Sequence, residues 1–478
     1  MSEKVTRRSF LKKSAIGIGG IAAATAGVEI ATPIIVKEKM EFDRNESMWA
    51  QASCSRSRPL DTDIDVDVAV IGGGYTGLSA AYHMAKNSKD KTIAVLEACS
   101  VGEGGSGRNG GMILPQPANE YMGVYSNEKT HKLTYDLTVE NLGEIESIIR
   151  ESGIDCEYER RGILLVIVKE NQVKQYRDYS LKARDMGIPV QFLDAGQTAQ
   201  KIGSTVYAGS LFDPNGGEVQ PMKLVCALRE AALKAGVIIY ENTPVTAIEE
   251  GEVIKLAAGK NTVRAKSVVL ATNGYTSKLG YFKNTVMTVH TQIAATPRLG
   301  DDIFRKLGWE SRVPFSDTYN ILYHLGNTRD NRILIGAGTV EYFFNNGILY
   351  KGDLKRVSNI LETELHRIYP ALKGIGFEYI WDGVMGFTLD FNQSVGVRGK
   401  YGNIYYGLAY CGHGVNLSVM FGRIIADLWA GNSEKWSATP FLNRRLIPLP
   451  PEPLKWVGVN ANIKFYQLMD RIGAPQLT

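Results

Sequence analysis

The 478-residue sequence predicts an α/β chain built around a doubly wound, largely parallel sheet, with an antiparallel-sheet domain beside it. Three stretches carry this expectation: a glycine-rich strand-to-helix junction at 65–85, a second apolar strand closing on Glu97, and a strand–turn–helix block at 403–430. At 44% hydrophobic and 22% charged residues, the composition is that of a globular chain long enough for two or three interlocked domains.

In chain order, Thr6-Arg7-Arg8-Ser9-Phe10-Leu11-Lys12 comes first, with a weakly apolar run to residue 36 and small residues at Ala24–Ala26. This segment (1–36) resembles a bacterial twin-arginine (Tat) export signal. That resemblance implies the Tat export machinery as a partner and a periplasmic or otherwise extracytoplasmic location. Formal net charge is +4, and Lys4, Arg7, Arg8, Lys12 and Lys13 against Glu3 supply all of it. The remainder is neutral, which argues against nucleic acid, where binding needs cationic contacts to phosphate. Five widely spaced cysteines (Cys54, Cys99, Cys156, Cys226, Cys411) contain no CxxC pair, so neither a disulfide framework nor a metal site is expected.

In "DVDVAVIGGGYTGLSAAYHMA", Val66, Val68, Val70 and Ile71 suit a buried parallel strand, and Leu78, Ala81, Tyr82 and Ala85 recur at helical spacing. Gly72, Gly74 and Gly77 fall on GxGxxG at the junction. There glycine permits the tight turn, lets backbone approach a pyrophosphate and lets helix and strand pack closely. The helix N-terminus then faces the phosphates. "KTIAVLEA" reads as the next buried strand, and its Glu97 is placed to accept hydrogen bonds from both hydroxyls of a ribose while repelling a 2′-phosphate.

"VGEGGSGRNGGM" follows directly. Its loop Ser106-Gly107-Arg108-Asn109-Gly110-Gly111 can bring backbone close to a flat ring while Ser106 and Arg108 reach phosphate. "TPVTAIEEGEVIKL" alternates as hairpin strands do, and "KSVVLATNGY" runs a buried strand into a turn at Ala271–Gly274. In the last block, Asn403–Leu408 read as a strand, Cys411-Gly412-His413-Gly414 as a turn and Val415–Ala430 as a helix whose positive end faces the turn. His413 is either packed for shape or tunes whatever sits there.

Together with "ESMWAQASCSRSRPL" before the first strand, these blocks resemble the FAD-dependent oxidoreductases of the D-amino-acid oxidase (DAO) superfamily, in the branch of gamma-glutamylputrescine oxidase. The similarity runs from about Trp49 to Gly431. It implies a Rossmann-like FAD-binding domain from 60–115, 200–280 and 376–440, and an antiparallel-sheet substrate domain from 116–199 and 281–375. It also implies backbone contact from Val245 at the adenine end and from Gly412, His413, Gly414 and Val415 at the flavin. The expected reaction is oxidation of a C–N bond of an amine or amino-acid-like substrate by hydride transfer to flavin, the imine then being hydrolysed. Electrons would pass to dioxygen or, outside the membrane, to a quinone or cytochrome.

Substrate-side candidates are Tyr323 and His324, which alternate on a strand so that one faces the pocket, and Trp381 and Tyr410 as an aromatic wall. His324 stands where relatives of this branch usually carry arginine, and Asn416 where sarcosine-oxidase-like members carry a lysine for the substrate carboxylate. A primary or secondary amine is therefore favoured over an α-amino acid. "WDGVMGFT" lacks the cysteine that tethers flavin in those members, so FAD is expected to be non-covalent. A non-catalytic flavin-binding or assembly protein and a hydroxy-acid dehydrogenase are the alternatives. Within the C-terminal tail 441–478, the proline-rich "IPLPPEPLKW" at 447–456 is expected to be extended on the surface, packed on the body or a partner.

Overall fold

The computed structural model describes residues 34–35, 47–52, 54–116 and 127–473. The twin-arginine stretch lies outside the described residues. Two large sheets organise the chain. The first has nine strands, and its parallel core runs in the spatial order 404–408, 261–270, 64–71, 93–96, 238–240. Consecutive residues of the strand Ile64–Ile71 serve opposite faces: Val68 and Val70 pack into the cluster under the helices, Ala69 and Ile71 into the cluster on the other side. A strand buried on both faces reads as a continuous apolar run, which is why the sequence marks it so clearly.

Helices Tyr75–Asn87, Pro221–Lys234 and Gly414–Trp429 cover one face. Beyond Asn261–Leu270 the same sheet continues as an antiparallel meander through Ile254–Ala258 and Val245–Glu249, with Ile34–Ile35 paired at its edge. At the turn of the first strand into its helix, a Cβ on Gly77 would collide with the Gly72 carbonyl, so the close packing there requires glycine.

The second sheet has eight strands, antiparallel except where Phe315–Asp317 runs parallel to Ile163–Ile167. Strand pairing puts Gly209–Asp213 and Tyr379–Phe387 in this sheet, although both were expected in pieces of the nucleotide-binding domain. Their pairing partners, Ile163–Ile167 and Met287–Ala295, lie far away in sequence, so local pattern could not assign them.

Two further expectations are corrected. Cys54 and Cys226 form a disulfide across 172 residues of chain, because the fold lays the segment after Met48–Ala52 alongside the helix Pro221–Lys234. Cysteine spacing carries no trace of a bridge so long. The C-terminal residues are not an extended tail throughout: after the prolines end at Pro453, Leu454–Gly473 is a helix lying against the strand Ile333–Tyr342. Asn460 Nδ2 donates to the Tyr342 carbonyl at 3.2 Å, and both Asp470 oxygens accept backbone N–H groups, of Asn320 and Ile321, at 2.9 Å.

Candidate functional site

A single cavity of about 1580 Å³ runs from the glycine junction of the first sheet to the second sheet. Pockets for a single ligand usually span roughly 300–1,000 Å³, so this one has room for a large cofactor and a substrate. Gly72, Gly74, Glu97, Ser106, Arg108, Asn109, Gly110, Val245, Gly412, His413, Gly414 and Val415 all line it, as do His324 and Tyr410. Gly77 acts from behind, in the helix–strand packing.

The nucleotide end is built from backbone. Gly74 caps the helix Tyr75–Asn87 without a side chain, and Ser106 Oγ reaches in to accept from Tyr75 N–H at 2.9 Å. That leaves the Ser106 hydroxyl hydrogen available to an anion at the helix end. Glu97 accepts from Gly73 N–H at 2.7 Å and Cys99 N–H at 3.0 Å. Burial, with Glu103 and Glu241 adding to it against those two bonds, pushes its carboxyl up to about 7. A buried carboxylate short of donors is what a ribose diol would satisfy.

Arg108 lines the cavity and also ties the loop to the second sheet: its Nε donates to the Glu103 carbonyl at 2.7 Å and its Nη1 to the Asp382 carbonyl at 3.0 Å. Asn109 likewise braces the loop, donating to the Ser106 carbonyl at 2.7 Å and accepting from Gly111 N–H at 2.9 Å. Three successive loop carbonyls are held from outside. Ser47 Oγ donates to Gly107 O at 2.7 Å, Trp381 Nε1 to Arg108 O at 2.8 Å and Trp49 Nε1 to Asn109 O at 2.8 Å. Trp381 is therefore a loop clamp, fully buried and edge-on to Trp49 at 6.4 Å, and forms no wall of the cavity.

At the flavin end, left-handed backbone at Ala409, Cys411 and Gly412 turns the strand Ile404–Leu408 sharply into the helix Gly414–Trp429. His413 is the N-cap and makes no side-chain cap. Burial holds its ring neutral, down to about 4, against the Cys411 carbonyl 3.3 Å from Nδ1. Tyr410 keeps its ring at the cavity, with its hydroxyl 2.6 Å from Thr76 Oγ1 on the first helix.

On the substrate side the strand Tyr323–Asn327 turns His324 to the cavity and Tyr323 away, where Tyr323 packs against Tyr319. The His324 ring is gripped by two glycines: a Cβ on Gly110 would lie 2.8 Å from its Cε1, and one on Gly336 2.5 Å. Burial alone lowers it to about 4, so it is a neutral imidazole. Asn416 does not face the cavity. It is buried between helices, accepting from Asn141 Nδ2 at 2.9 Å and donating to the Thr138 carbonyl at 3.0 Å.

A pair that sequence reasoning missed lies behind the cavity wall. His290 Nδ1 is 2.7 Å from Asp382 Oδ2, and its Nε2 2.8 Å from the Gly347 carbonyl. Burial would lower His290, but the Asp382 hydrogen bond and charge and the Gly347 carbonyl outweigh it and raise it, favouring an imidazolium. An aspartate inside the apolar strand "YIWDGVMGF" was the available signal of a buried partner.

The donor set fits FAD. Two helix N-termini without side-chain caps, at 74–76 and 413–415, face one cavity with an acceptor-only carboxylate beside the first. Gly72–Thr76, Glu97, Ser106, Val245 and Gly412–Val415 are the residues that would hold it. Among the described residues there is no cluster of side chains able to hold a metal ion.

Residues 67–428 match the family described as FAD dependent oxidoreductase, DAO. The chain is similar to the gamma-glutamylputrescine oxidoreductase of Escherichia coli K12: 31% identity over 415 residues, covering 85% of this chain and 93% of that protein. It is also similar to the glycine oxidase of Geobacillus kaustophilus, at 25% identity over 392 residues, 78% of this chain and 95% of the other. The crystal structure of glycine oxidase from that organism superposes with a TM-score of 0.68 over 80% of this chain and 99% of that one; at 22% identity this speaks to the fold alone.

Proposed function

The chain belongs to the DAO family of FAD-dependent oxidoreductases and acts on amines or amino acids, and from that premise we propose that it oxidises a C–N bond of a small primary or secondary amine, outside the cytoplasm. One observation carries the substrate class. Among the described residues, every cationic side chain of the cavity wall is already engaged: Arg108 by two carbonyls, Arg444 by Asp390, Lys455 by Glu452 and the Lys283 carbonyl. His324 and His413 are neutral. A substrate carboxylate would find no free cation, whereas an amine needs none.

Bound FAD supplies the two-electron acceptor. The protein's share is positioning and the exclusion of water. Leu165, Met287, Val289, Ile293 and Val340 make an apolar wall that favours the neutral amine. His324, a neutral ring in the cavity lining, is the side chain to accept the amine N–H, fixing the nitrogen and its neighbouring carbon while staying too weak a base to deprotonate an ammonium. As the C–H pair leaves as hydride, the nitrogen lone pair closes the C=N bond. The imine is then hydrolysed by water without a protein acid. The positive end of the helix Gly414–Trp429 favours the negative charge that builds at its end of the cavity.

The Cys54–Cys226 disulfide supports the extracytoplasmic reading, since such bonds persist in oxidising compartments and are rare in a reducing cytoplasm. The twin-arginine machinery is then the export partner, and electrons pass to dioxygen, a quinone or a cytochrome. Anaerobic bleaching of the flavin absorbance tests the substrate class, with polyamines, N-methyl amines and D- and L-amino acids as the panel. Bleaching by amines is expected. Bleaching by amino acids alone overturns the amine assignment, and bleaching by none overturns catalysis. Peroxide yield with and without an artificial acceptor then separates oxidase from dehydrogenase.

A further inference from the structure

We infer that the outer face of the C-terminal helix Leu454–Gly473 docks on an anionic lipid surface, lying in the interface plane beside the cavity. Leu454, Val457, Phe465 and Leu468 are each 53–54% exposed and Ile472 71%. Their spacing of three, four or twice four residues, at about 100° per residue, gathers them within a sector of roughly 80°. Five large apolar side chains on one sector of a 20-residue helix are more than the scattered exposure a soluble surface normally shows. Phe344, 58% exposed, extends the patch: the neighbouring Asn345 N–H donates to Glu452 at 3.1 Å, just before the helix.

The charge on this helix is segregated. Its acidic residue, Asp470, turns inward onto the backbone of Asn320 and Ile321, and Glu452 before it onto the Tyr342 hydroxyl and Lys455. Lys464 and Arg471 point out, on one flank of the apolar sector. The outward face is therefore apolar and purely cationic, which complements anionic headgroups. A second copy meeting it face to face would present the same sign. Among the described residues no helix is long and apolar enough to cross a membrane, so this one lies on the bilayer.

The position ties docking to the site. Leu454, Val457, Gly458, Asn462 and Tyr466 also line the cavity, so the lipid-facing helix forms part of its wall. An amphiphilic reactant or a bilayer-dissolved electron acceptor would arrive beside it.

The test is co-sedimentation of the full-length, FAD-loaded protein with phosphatidylcholine vesicles, with and without phosphatidylglycerol. Binding to the anionic vesicles, weakened by salt, is expected. The triple variant Phe465→Glu, Leu468→Glu, Ile472→Glu should cut the bound fraction about tenfold or more. None of these three side chains lines the cavity, so flavin absorbance and anaerobic bleaching should not change. Lys464→Glu with Arg471→Glu should abolish the preference for anionic vesicles. An N-terminal apolar segment, if retained, is common to every variant; a triple variant that pellets like the parent therefore overturns the inference. So does a parent that stays in the supernatant, or one that forms a dimer in gel filtration which the triple variant dissociates.

Discussion

Replacing Glu97 by glutamine should flatten the pH dependence of both cofactor affinity and stability, two slopes that run in opposite directions. In the FAD-free protein the Glu97 carboxyl is pushed up to about 7, chiefly by burial. Only the ionised form offers all its lone pairs to a ribose diol. If FAD selects that form, its apparent Kd rises about tenfold for each pH unit below 7 and levels off above. His324 and His413, held down to about 4, stay neutral across this range and add no slope. Glu97→Gln should flatten the profile between pH 6 and 8 and weaken FAD at pH 8 by about 1.5–3 kcal/mol, the worth of a hydrogen bond to a charged group. The sign for stability is the reverse. A carboxyl raised on folding binds a proton that the unfolded chain has released, so FAD-free stability falls as pH rises from the ordinary carboxyl value towards 7. Removing the charge should recover up to roughly 3 kcal/mol at pH 8, less the roughly 1–3 kcal/mol lost where the glutamine amide nitrogen faces the Gly73 or Cys99 N–H that the carboxylate accepted. Flavin-fluorescence titration of the apoprotein and thermal melts at pH 6, 7 and 8 measure both. An unchanged slope of FAD affinity in the variant, or FAD-free melts that fall with pH as steeply as the parent's, would refute the assignment.

Four other expectations follow from single features. Cys54→Ser with Cys226→Ser should cost roughly 2–5 kcal/mol, read as a fall in denaturation midpoint that reductant reproduces in the parent but not in the variant. Cys411 lines the cavity, but burial pushes its thiol up to about 12, so it stays protonated and unreactive; acid precipitation should release all the FAD into the supernatant. Asn416→Leu should destabilise the protein by about 1–3 kcal/mol, by stranding the Asn141 amide and Thr138 carbonyl, and leave substrate KM unchanged. Lysine at both Arg7 and Arg8 should leave active, flavin-loaded protein in the cytoplasm, as fractionation would show.

The parts of the site that were legible in the sequence are the local ones. Gly72, Gly74, Glu97 and the turn Cys411–Gly414 each sit where a strand ends and backbone must turn, and glycine or acid at that point has a meaning that needs no partner. The second sheet was harder, because a short strand such as Gly209–Asp213 declares its sheet only through pairing. Trp381, expected as an aromatic wall, and the structural roles of Arg108 and Asn416 escape the sequence for a related reason. Each is a residue type suited to touching a ligand, and each is committed to a group remote in sequence: Trp381 to the carbonyl of Arg108, Arg108 to that of Asp382, Asn416 to Asn141. The C-terminal helix was hidden by the prolines that precede it.

Those remote commitments converge on one loop. The carbonyls of Gly107, Arg108 and Asn109 are held by Ser47, Trp381 and Trp49, so the loop beside the nucleotide end is shaped by a segment before the first strand and by a strand of the second sheet. The cofactor cradle is consequently not a module that 60–115 completes alone; it exists only when both sheets have met. Cys54, a few residues beyond Trp49, then fixes the lead-in to Cys226 on a helix of the first sheet. Because the cysteines are far apart in the chain, folding must bring them together before oxidation can join them. Under the proposed extracytoplasmic location, the chain would fold and take up FAD while its thiols are reduced, and the bridge would close afterwards in an oxidising space. That order, cradle first and disulfide second, is the order that a twin-arginine route for folded proteins would impose.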